Sequence, residues 1–438
     1  MLGKSPNQNQ MNLFKPVLKQ IINPQDPLVI LSSEIDWKKL EDEFAPLYSN
    51  TGQPSCPVRQ MAGLLILKQL FNKGDETVIE SWIHNPYYQF FCGEQFFQWE
   101  KPCDPSDLVH FRKRIGEDGI EKIFTESVNL HKHKLDQCNE VLIDTTVQEK
   151  NVTFPTDVKL HRKIIEQCNG IAEKEGISMR QSYTRTLKEI LLQNRFAHHP
   201  RRKKQARKAK KRLRTIAGRQ FRDLDRNLEK LGIKDRYIDK LDIFERILKQ
   251  RKNDSNKIYS IHEPTVSCIA KGKAHKPYEF GTKTSFATLP KHNIVVGVAC
   301  FQGNPHDSRT LEKTLDHIKR ISDKIFEEAI ADRGYRGIKS IGATKIITPE
   351  NGRYQNEYQS NKRRKQCRSR AAIEPIIGHM KMQYRLGRNY LKGTRGDIIN
   401  ALMAAASINF KSRLREIKEN LLLLLLILFY PKMQKVSS

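Results

Sequence analysis

Three carboxylates stand in local settings that suit phosphoryl chemistry. Asp144 follows the apolar Val141-Leu142-Ile143, Asp332 follows Ile330-Ala331 and precedes Arg333-Gly334-Tyr335, and Glu374 lies in Arg370-Ala-Ala-Ile-Glu374-Pro375. Carboxylate oxygens are the ligands that Mg²⁺ prefers, and three carboxylates brought together repel one another unless divalent cations neutralise them. One such site could hold two metal ions, one activating an attacking hydroxyl and the other stabilising the leaving oxygen of an in-line displacement. Lys381 lies seven residues beyond Glu374, about two helical turns, so its ammonium would face the same groove and neutralise a phosphate. Arg370, four residues before Glu374, would share that face, and Pro375 is expected to bend the helix or mark its start. Each residue also has an ordinary explanation. Asp144 could end a strand, Asp332 could shape the turn before Gly334, and Glu374 could pair with Arg370 or Lys381 on the surface. Glu263, in His262-Glu263-Pro264, is the substitute carboxylate, with a turn role as its ordinary explanation.

The elements that must position these groups follow from periodicity. Residues 140–146 read as a buried strand that delivers Asp144 to its edge, and an antiparallel meander is expected at 257–261, 266–270, 278–287 and 294–301. A helix over 310–321 follows, with Asp307 as its N-cap, then a strand over 325–330 that ends at Asp332, a short strand at 344–347, and helix from about 361 onward. The intervening segment, about 158–256, is helical throughout, with stripes such as Leu187, Ile190 and Leu191, or Leu224, Leu228 and Leu231. With that segment set aside, the order is three strands, a helix, a strand, a helix, a strand and a final helix. That is the order of an RNase H-like domain: an α/β (α+β) mixed sheet flanked by helices, able to bring the three carboxylates to one edge.

Towards the N-terminus, residues 1–55 are punctuated by proline and predict a loosely ordered arm with one short helix near Asp36 to Phe44. Residues 56–138 predict a compact helical DNA-binding domain, in which Asp104-Pro105-Ser106 caps a helix carrying Arg112, Lys113 and Arg114 towards DNA. The catalytic domain is expected over 139–415, interrupted by the helical insertion, and a hydrophobic tail over 416–438. The apolar run Leu421 to Tyr430 is too short for a membrane span of roughly 20 residues and reads as a buried or self-associating helix end.

Charge narrows the partner. The chain has 438 residues with 78 Lys+Arg against 49 Asp+Glu, a formal net charge of +29. Such an excess self-repels unless a polyanion absorbs it, which points to DNA or RNA. Residues 201–222 hold twelve Lys/Arg and no acid, among them Arg201, Arg202, Lys203, Lys204, Arg207, Lys208, Lys210, Lys211, Arg212 and Arg214. A second basic cluster, Lys362, Arg363, Arg364, Lys365 and Arg368, precedes Glu374 and would hold DNA across the site. The eight cysteines form no CxxC pair, which fits a reducing compartment, and no secretory leader is expected. No GxxxxGK[ST] or GxSxG is present, so neither a nucleotide-triphosphate-driven step nor a serine-hydrolase elbow is signalled.

The ordered set Ile143-Asp144-Thr145-Thr146, Ala331-Asp332-Arg333-Gly334-Tyr335 and Arg370-x3-Glu374-x6-Lys381 resembles the three signatures of DDE transposases, in particular the insertion-sequence-five family of bacterial elements. The third signature of that superfamily opens with Tyr, where this chain has Cys367; Tyr384 or Tyr390 would have to supply the phenol. The resemblance runs from about residue 57, where the helices look like the family's N-terminal domain, through most of 140–415. It implies two Mg²⁺ ions, with Mn²⁺ as a substitute, on Asp144, Asp332 and Glu374, with Arg370 and Lys381 as catalytic neighbours. It further implies double-stranded DNA as partner (terminal inverted repeats and target), a homodimer or larger synaptic complex, no membrane or nucleotide triphosphate, and a place in the bacterial cytoplasm at the nucleoid. Cleavage at the element ends would free 3′-hydroxyls that attack target DNA. The alternatives are an RNase H-like metal-dependent nuclease without strand transfer, and a decayed copy that only binds DNA.

Overall fold

The computed structural model describes residues 1–3, 15–270, 276–349 and 357–434, with the side chains at 359, 362 and beyond 423 left out. Two compact units emerge: one of residues 1–149 and 282–438, the other of residues 150–281.

In the first unit the chain begins with helices α1 (Leu18–Ile21), α2 (Pro27–Glu34), α3 (Trp37–Phe44), α4 (Val58–Leu70), α5 (Asp75–His84), α6 (Pro86–Phe91), α7 (Pro105–Asn129) and α8 (Lys132–Gln137). The short helix expected near Asp36 to Phe44 is α3, but the segment before it is not the expected loose arm: α1 and α2 precede it, and Leu31, Leu40 and Phe44 are fully buried. Pro27 starts a helix instead of preventing one. Pro27 takes the first helical position, where no N–H is needed, and the Asp26 carboxylate accepts the Leu28 N–H at 2.8 Å. Within α7 the helix breaks at Gly116, whose φ of +65° only glycine adopts without strain.

Strand β1 (Glu140–Glu149) opens the sheet. The later strands of this unit are β3 (Tyr278–Thr288), β4 (Val295–Phe301), β5 (Glu328–Ile330), β6 (Ser340–Ile341) and β7 (Thr344–Ile347). β2 (Ser267–Ala270) belongs to the second unit. Across the first unit the order is β4-β3-β1-β5-β7-β6, with β1, β5 and β7 parallel and the β3–β4 and β6–β7 pairs antiparallel. This is the mixed, helix-flanked sheet of the RNase H-like expectation. Helix α13 (Leu311–Ser322) covers β4, and after α14 (Glu357–Ser369) come α15 (Ile373–Gln383), against β1, and the long α16 (Gly393–Gln434), which packs on α7, α4, α2 and β4. Asn409 of α16 does the work of a missing strand partner. Its amide donates to Val295 O and Ser127 Oγ and accepts the Val295 N–H at 2.8 Å, so buried groups of α7 and β4 are satisfied together. One continuous apolar core runs from Leu28 to Ile417, so the N-terminal helices and the sheet are one body and not two. Of the run expected to be buried or self-associating, Leu421 is half-buried against the main core, Leu422 and Leu423 are exposed, and the side chains from 424 onward lie outside the described residues. Among the described residues, no helix is long and apolar enough to cross a membrane.

The second unit is wider than the expected insertion at both ends. It holds α9 (Asp157–Lys174), α10 (Thr184–Asn194), α11 (Lys203–Lys230), α12 (Ile238–Lys249), β2 and the first residues of β3, which pair antiparallel with β2. Ala209, Leu213, Ile216, Ala217, Leu224 and Leu228 recur at helical spacing along α11 and meet Ile164, Ile165 and Cys168 of α9 and Phe244 of α12 in a separate core. The expected strand at 257–261 is a second correction. No ladder forms there; Ile258 and Ile261 are drawn into this helical core, and the Ile258 N–H and C=O are both bonded to the Gln250 side chain.

Candidate active site

The β1–β5 register builds the site. Glu140 pairs with Glu328 and Leu142 with Ile330, a constant offset of 188. β5 ends at Ile330, two residues before Asp332, and the paired register ends at Leu142, two residues before Asp144, so both carboxylates lie just past the paired ends of these parallel strands, close enough for the Asp332 charge to act on Asp144. Val141, Leu142 and Ile143 anchor the strand in the core, and Asp144 emerges beside them. The strand does not end at Asp144, as its ordinary explanation required, but runs on to Glu149.

Asp332 divides its two oxygens. Oδ1 accepts the Gly334 N–H at 2.7 Å and so does shape the turn, while Oδ2 is 3.7 Å from the Arg370 guanidinium. Arg370 also donates to Glu374 Oε1 at 2.7 Å, so one guanidinium links the second and third carboxylates. Glu374 lies in the first turn of α15, with Pro375 beside it where no backbone N–H is required, so the expected kink does not arise. Ile373, Ile376, Ile377 and Met380 bury the opposite side of α15. Lys381 is in the last turn of the same helix, half-buried.

Electrostatics tie Asp144 to this pair. Burial pushes its carboxyl up to about 6, and the charges of Asp332 and Glu374 add to the rise against the Thr145 N–H bond and Arg370. The Thr145 N–H meets Asp144 Oδ1 at 2.8 Å.

A fourth carboxylate, Asp307, is tied to Thr145 beside Asp144 and is not the helix cap expected from its position in the sequence. Asp307 accepts from Thr145 Oγ1 at 2.7 Å and pairs with Lys283 at 2.5 Å; the cap of that helical turn is His306. Burial works against its ionisation, but the Lys283 and Thr145 bonds hold its carboxyl below the usual carboxylate range. Gly334 is squeezed between Asp307 and Asp332, since a Cβ there would lie 2.8 Å from Asp307 Oδ2 and 2.9 Å from Asp332 Oδ1. Only glycine fits between the two carboxylates. The nearby phenol is Tyr335, fully buried, its ionisation opposed first by burial and then by Asp144 and Asp307. Tyr384 is buried elsewhere with its carbonyl bonded to Gln69, and Tyr390 is exposed under Arg385, so neither is the expected replacement at the carboxylates. Cys367 is half-buried on α14, its thiol pushed up by burial.

Three oxygen-donor side chains whose mutual repulsion already raises Asp144 suit a divalent cation in their chemistry. As the side chains stand, no three His, Cys, Asp or Glu among the described residues are grouped closely enough to ligate one ion. Arg370 balances Asp332 and Glu374 instead. Glu263, the substitute carboxylate, is buried in the second unit beside Lys150, 3.4 Å away.

The basic candidates divide. Arg112 is a correction. It is 6% exposed and clamps Asp75 with two bonds of 2.7 and 2.8 Å, beside Lys68. Lys113 and Arg114 on α7 are exposed, Arg114 lying 4.4 Å over the Tyr48 ring. Arg201, Arg202, Lys203, Lys204, Arg207, Lys208, Lys210, Lys211, Arg212 and Arg214 are all exposed; Lys210 pairs with Asp157, and Arg214 donates to the Leu248 carbonyl. On α14, Arg364, Lys365 and Arg368 are exposed and Arg363 donates to the Thr348 carbonyl, whereas the Lys362 side chain lies outside the described residues.

Residues 16–114 match the family described as "Transposase domain (DUF772)", and residues 248–410 match the family described as "Transposase DDE domain". The first match includes the segment expected as a loose arm. A protein of Rhizobium meliloti described as "Uncharacterized protein ORF8 in nfe locus" is 39% identical over 203 residues, 45% of this chain and 98% of that protein. No solved structure matches. The chain belongs to the DDE transposases of insertion sequences.

Proposed function

We propose that this transposase binds the terminal inverted repeats of its element, cleaves at the element ends and transfers the freed 3′-hydroxyls to target DNA. The observation that supports the reading is the convergence of Asp144 and Asp332, each two residues past the paired ends of parallel β1 and β5, with Arg370 linking Asp332 to Glu374. Asp144, Asp332 and Glu374 would hold the divalent cations, two Mg²⁺ in the fullest form of the proposal, with Mn²⁺ as a substitute. When bound, these cations supply Lewis acidity and charge neutralisation at the phosphoryl group.

The chain's own residues do the rest. Asp144 and Asp332 each accept a backbone N–H, from Thr145 and Gly334, which restrains both carboxylates and leaves one oxygen of each for a cation. Lys381, seven residues beyond Glu374 on α15, faces the scissile phosphate and offsets its charge. In the hydrolytic step a water oxygen bonds to phosphorus, the bond from phosphorus to the 3′ oxygen breaks, and that oxygen leaves as a 3′-hydroxyl with a proton. In the joining step this hydroxyl bonds to a target phosphorus, and the target's own 3′ oxygen leaves in the same way. Two ends must meet one target, so the working form is a dimer or larger synaptic complex at the nucleoid. The exposed cations on α7, α11 and α14 supply the backbone contacts.

The test is Mg²⁺-dependent cleavage and joining of a labelled duplex carrying the element's terminal repeat, with wild type beside Asp332→Asn. Joined product that only wild type makes is the expected result. Cleavage without joining would assign a nuclease, and binding with neither activity would assign a decayed copy.

A further inference from the structure

The helical unit carries a cavity of about 500 Å³ lined by Arg180, Tyr183, Arg219, Arg222, Arg226 and Asp223, with Gln181 and Gln220 at its wall. Four guanidinium groups share this concave surface with one carboxylate. The geometry points to a built phosphate-binding pocket for the backbone of duplex DNA, distinct from the candidate active site; it rests on the proposed DNA-binding reading and names, among the cations of α11, the ones that form a shaped site.

Residue type, spacing and rigidity support it. Arg219, Arg222 and Arg226 stand at i, i+3 and i+7 on α11, so they form one row roughly 10 Å long. Phosphates along one strand of a duplex advance by about 3.4 Å of axis per step, so such a row spans two to three of them. All four cations are arginine, whose planar fork engages phosphate oxygens in pairs where a lysine offers a point charge.

The rim is pinned before any ligand arrives. Asp223, 9% exposed, accepts the Arg180 N–H at 3.1 Å and lies 3.9 Å from the Arg180 guanidinium and 3.6 Å from that of Arg226, holding both at the mouth. Gln220, 1% exposed, donates to the Gln181 carbonyl and to Asn169 Oδ1, each at 2.8 Å, and Asn169 in turn donates to the Ser182 carbonyl at 2.9 Å. The loop at 180–182 is thereby fastened to α9 and α11. Tyr183 then turns into the left-handed region, φ +56°, as it leads into α10 at the cavity edge. Arg222 lies over Gly218, where a Cβ would sit 3.3 Å from its guanidinium nitrogen. A preorganised rim of this kind lowers the ordering cost of binding.

The test is binding of a short labelled duplex of arbitrary sequence by the full chain over a salt series, comparing wild type, R219A/R222A and a charge-matched control, K240A/K252A. Arg219, Arg222, Lys240 and Lys252 are all exposed, so both variants are expected to keep the wild-type circular dichroism and melting curve. Losing two phosphate contacts is expected to lower the slope of log affinity against log salt by about 1.8, so that the variant loses about 12-fold less affinity than wild type between 50 and 200 mM salt. R219K/R222K is expected to retain the wild-type slope while binding more weakly. Pocket and control variants with the same affinity and slope would overturn the proposal, and so would a slope unchanged from wild type. Asp332→Asn, which leaves this pocket intact, is expected to bind with the wild-type slope, so failure of the catalytic reading and failure of the pocket are read separately.

Discussion

Arg112 shows how a single side chain can be assigned the wrong face. On α7 it neighbours Lys113 and Arg114 in sequence, yet it points inward to Asp75, whose carboxyl is held down to about 2 despite its burial by the Arg112 and Lys68 charges. Removing Arg112 strands a partly buried carboxylate beside a lysine that burial has already lowered to about 8. Arg112→Ala is therefore expected to cost about 3 kcal/mol in urea unfolding while leaving the duplex affinity of the folded protein unchanged. Lys113→Ala with Arg114→Ala is expected to do the reverse, weakening binding and flattening its salt dependence without loss of stability. Asp307 was hidden for a related reason. An aspartate just before a helix is most often a cap, and nothing local says that Thr145 and Lys283, more than a hundred and more than twenty residues away, will claim its carboxylate. Asp144 and Asp332 were legible because each follows a short apolar run that had to be a buried strand. Glu374 was legible from its spacing to Arg370 and Lys381, whereas Tyr335 was visible only as part of a motif and not as a buried phenol whose ionisation Asp144 opposes.

At the scale of elements, α9 and α11 carry a pH dependence of their own. His161 of α9 is 5% exposed and burial lowers its pKa to about 4; Asp157 opposes the shift, while Arg214 and Lys210 reinforce it. In the unfolded chain it titrates near 6.5. Between those values the unfolded state binds the extra proton, so stability falls as pH drops from about 6.5 to about 4, by up to about 3 kcal/mol. Hydrogen exchange of the α9 and α11 amides should show protection lost between about pH 7 and pH 5, and less of that loss in His161→Gln. An equal pH response in the variant would remove His161 as the cause. Most of these helices were readable because Leu224, Leu228 and Ile247 repeat at the helical period. The 257–261 segment was misread because alternation reports burial on one side and not the partner; Ile258 and Ile261 alternate into a helical core. In the N-terminal arm the helix at Asp36 to Phe44 was legible, whereas α2 was not, because proline at a first helical turn looks the same in sequence as proline in a loop.

At the scale of the whole molecule, a sheet with its covering helices carries the carboxylates, and a separate helical unit, with its own core, carries much of the positive charge. The first carboxylate and the other two lie on opposite sides of that helical unit in the chain, and the DDE match over 248–410 includes Asp332 and Glu374 but not Asp144. Residues so distant in sequence form one site only if the parallel register holds, and groups that act as a unit lose activity together and not in proportion. The most direct measurement is therefore the rate of element-end cleavage by Asp144→Asn, Asp332→Asn, Glu374→Gln and the double variant of Asp332 and Glu374, each checked for wild-type folding. Each single substitution is expected to lower the rate by about a thousandfold or more, with the double variant no worse than either of its parents. Cleavage within tenfold of wild type in any one of the three would contradict a site built from all of them.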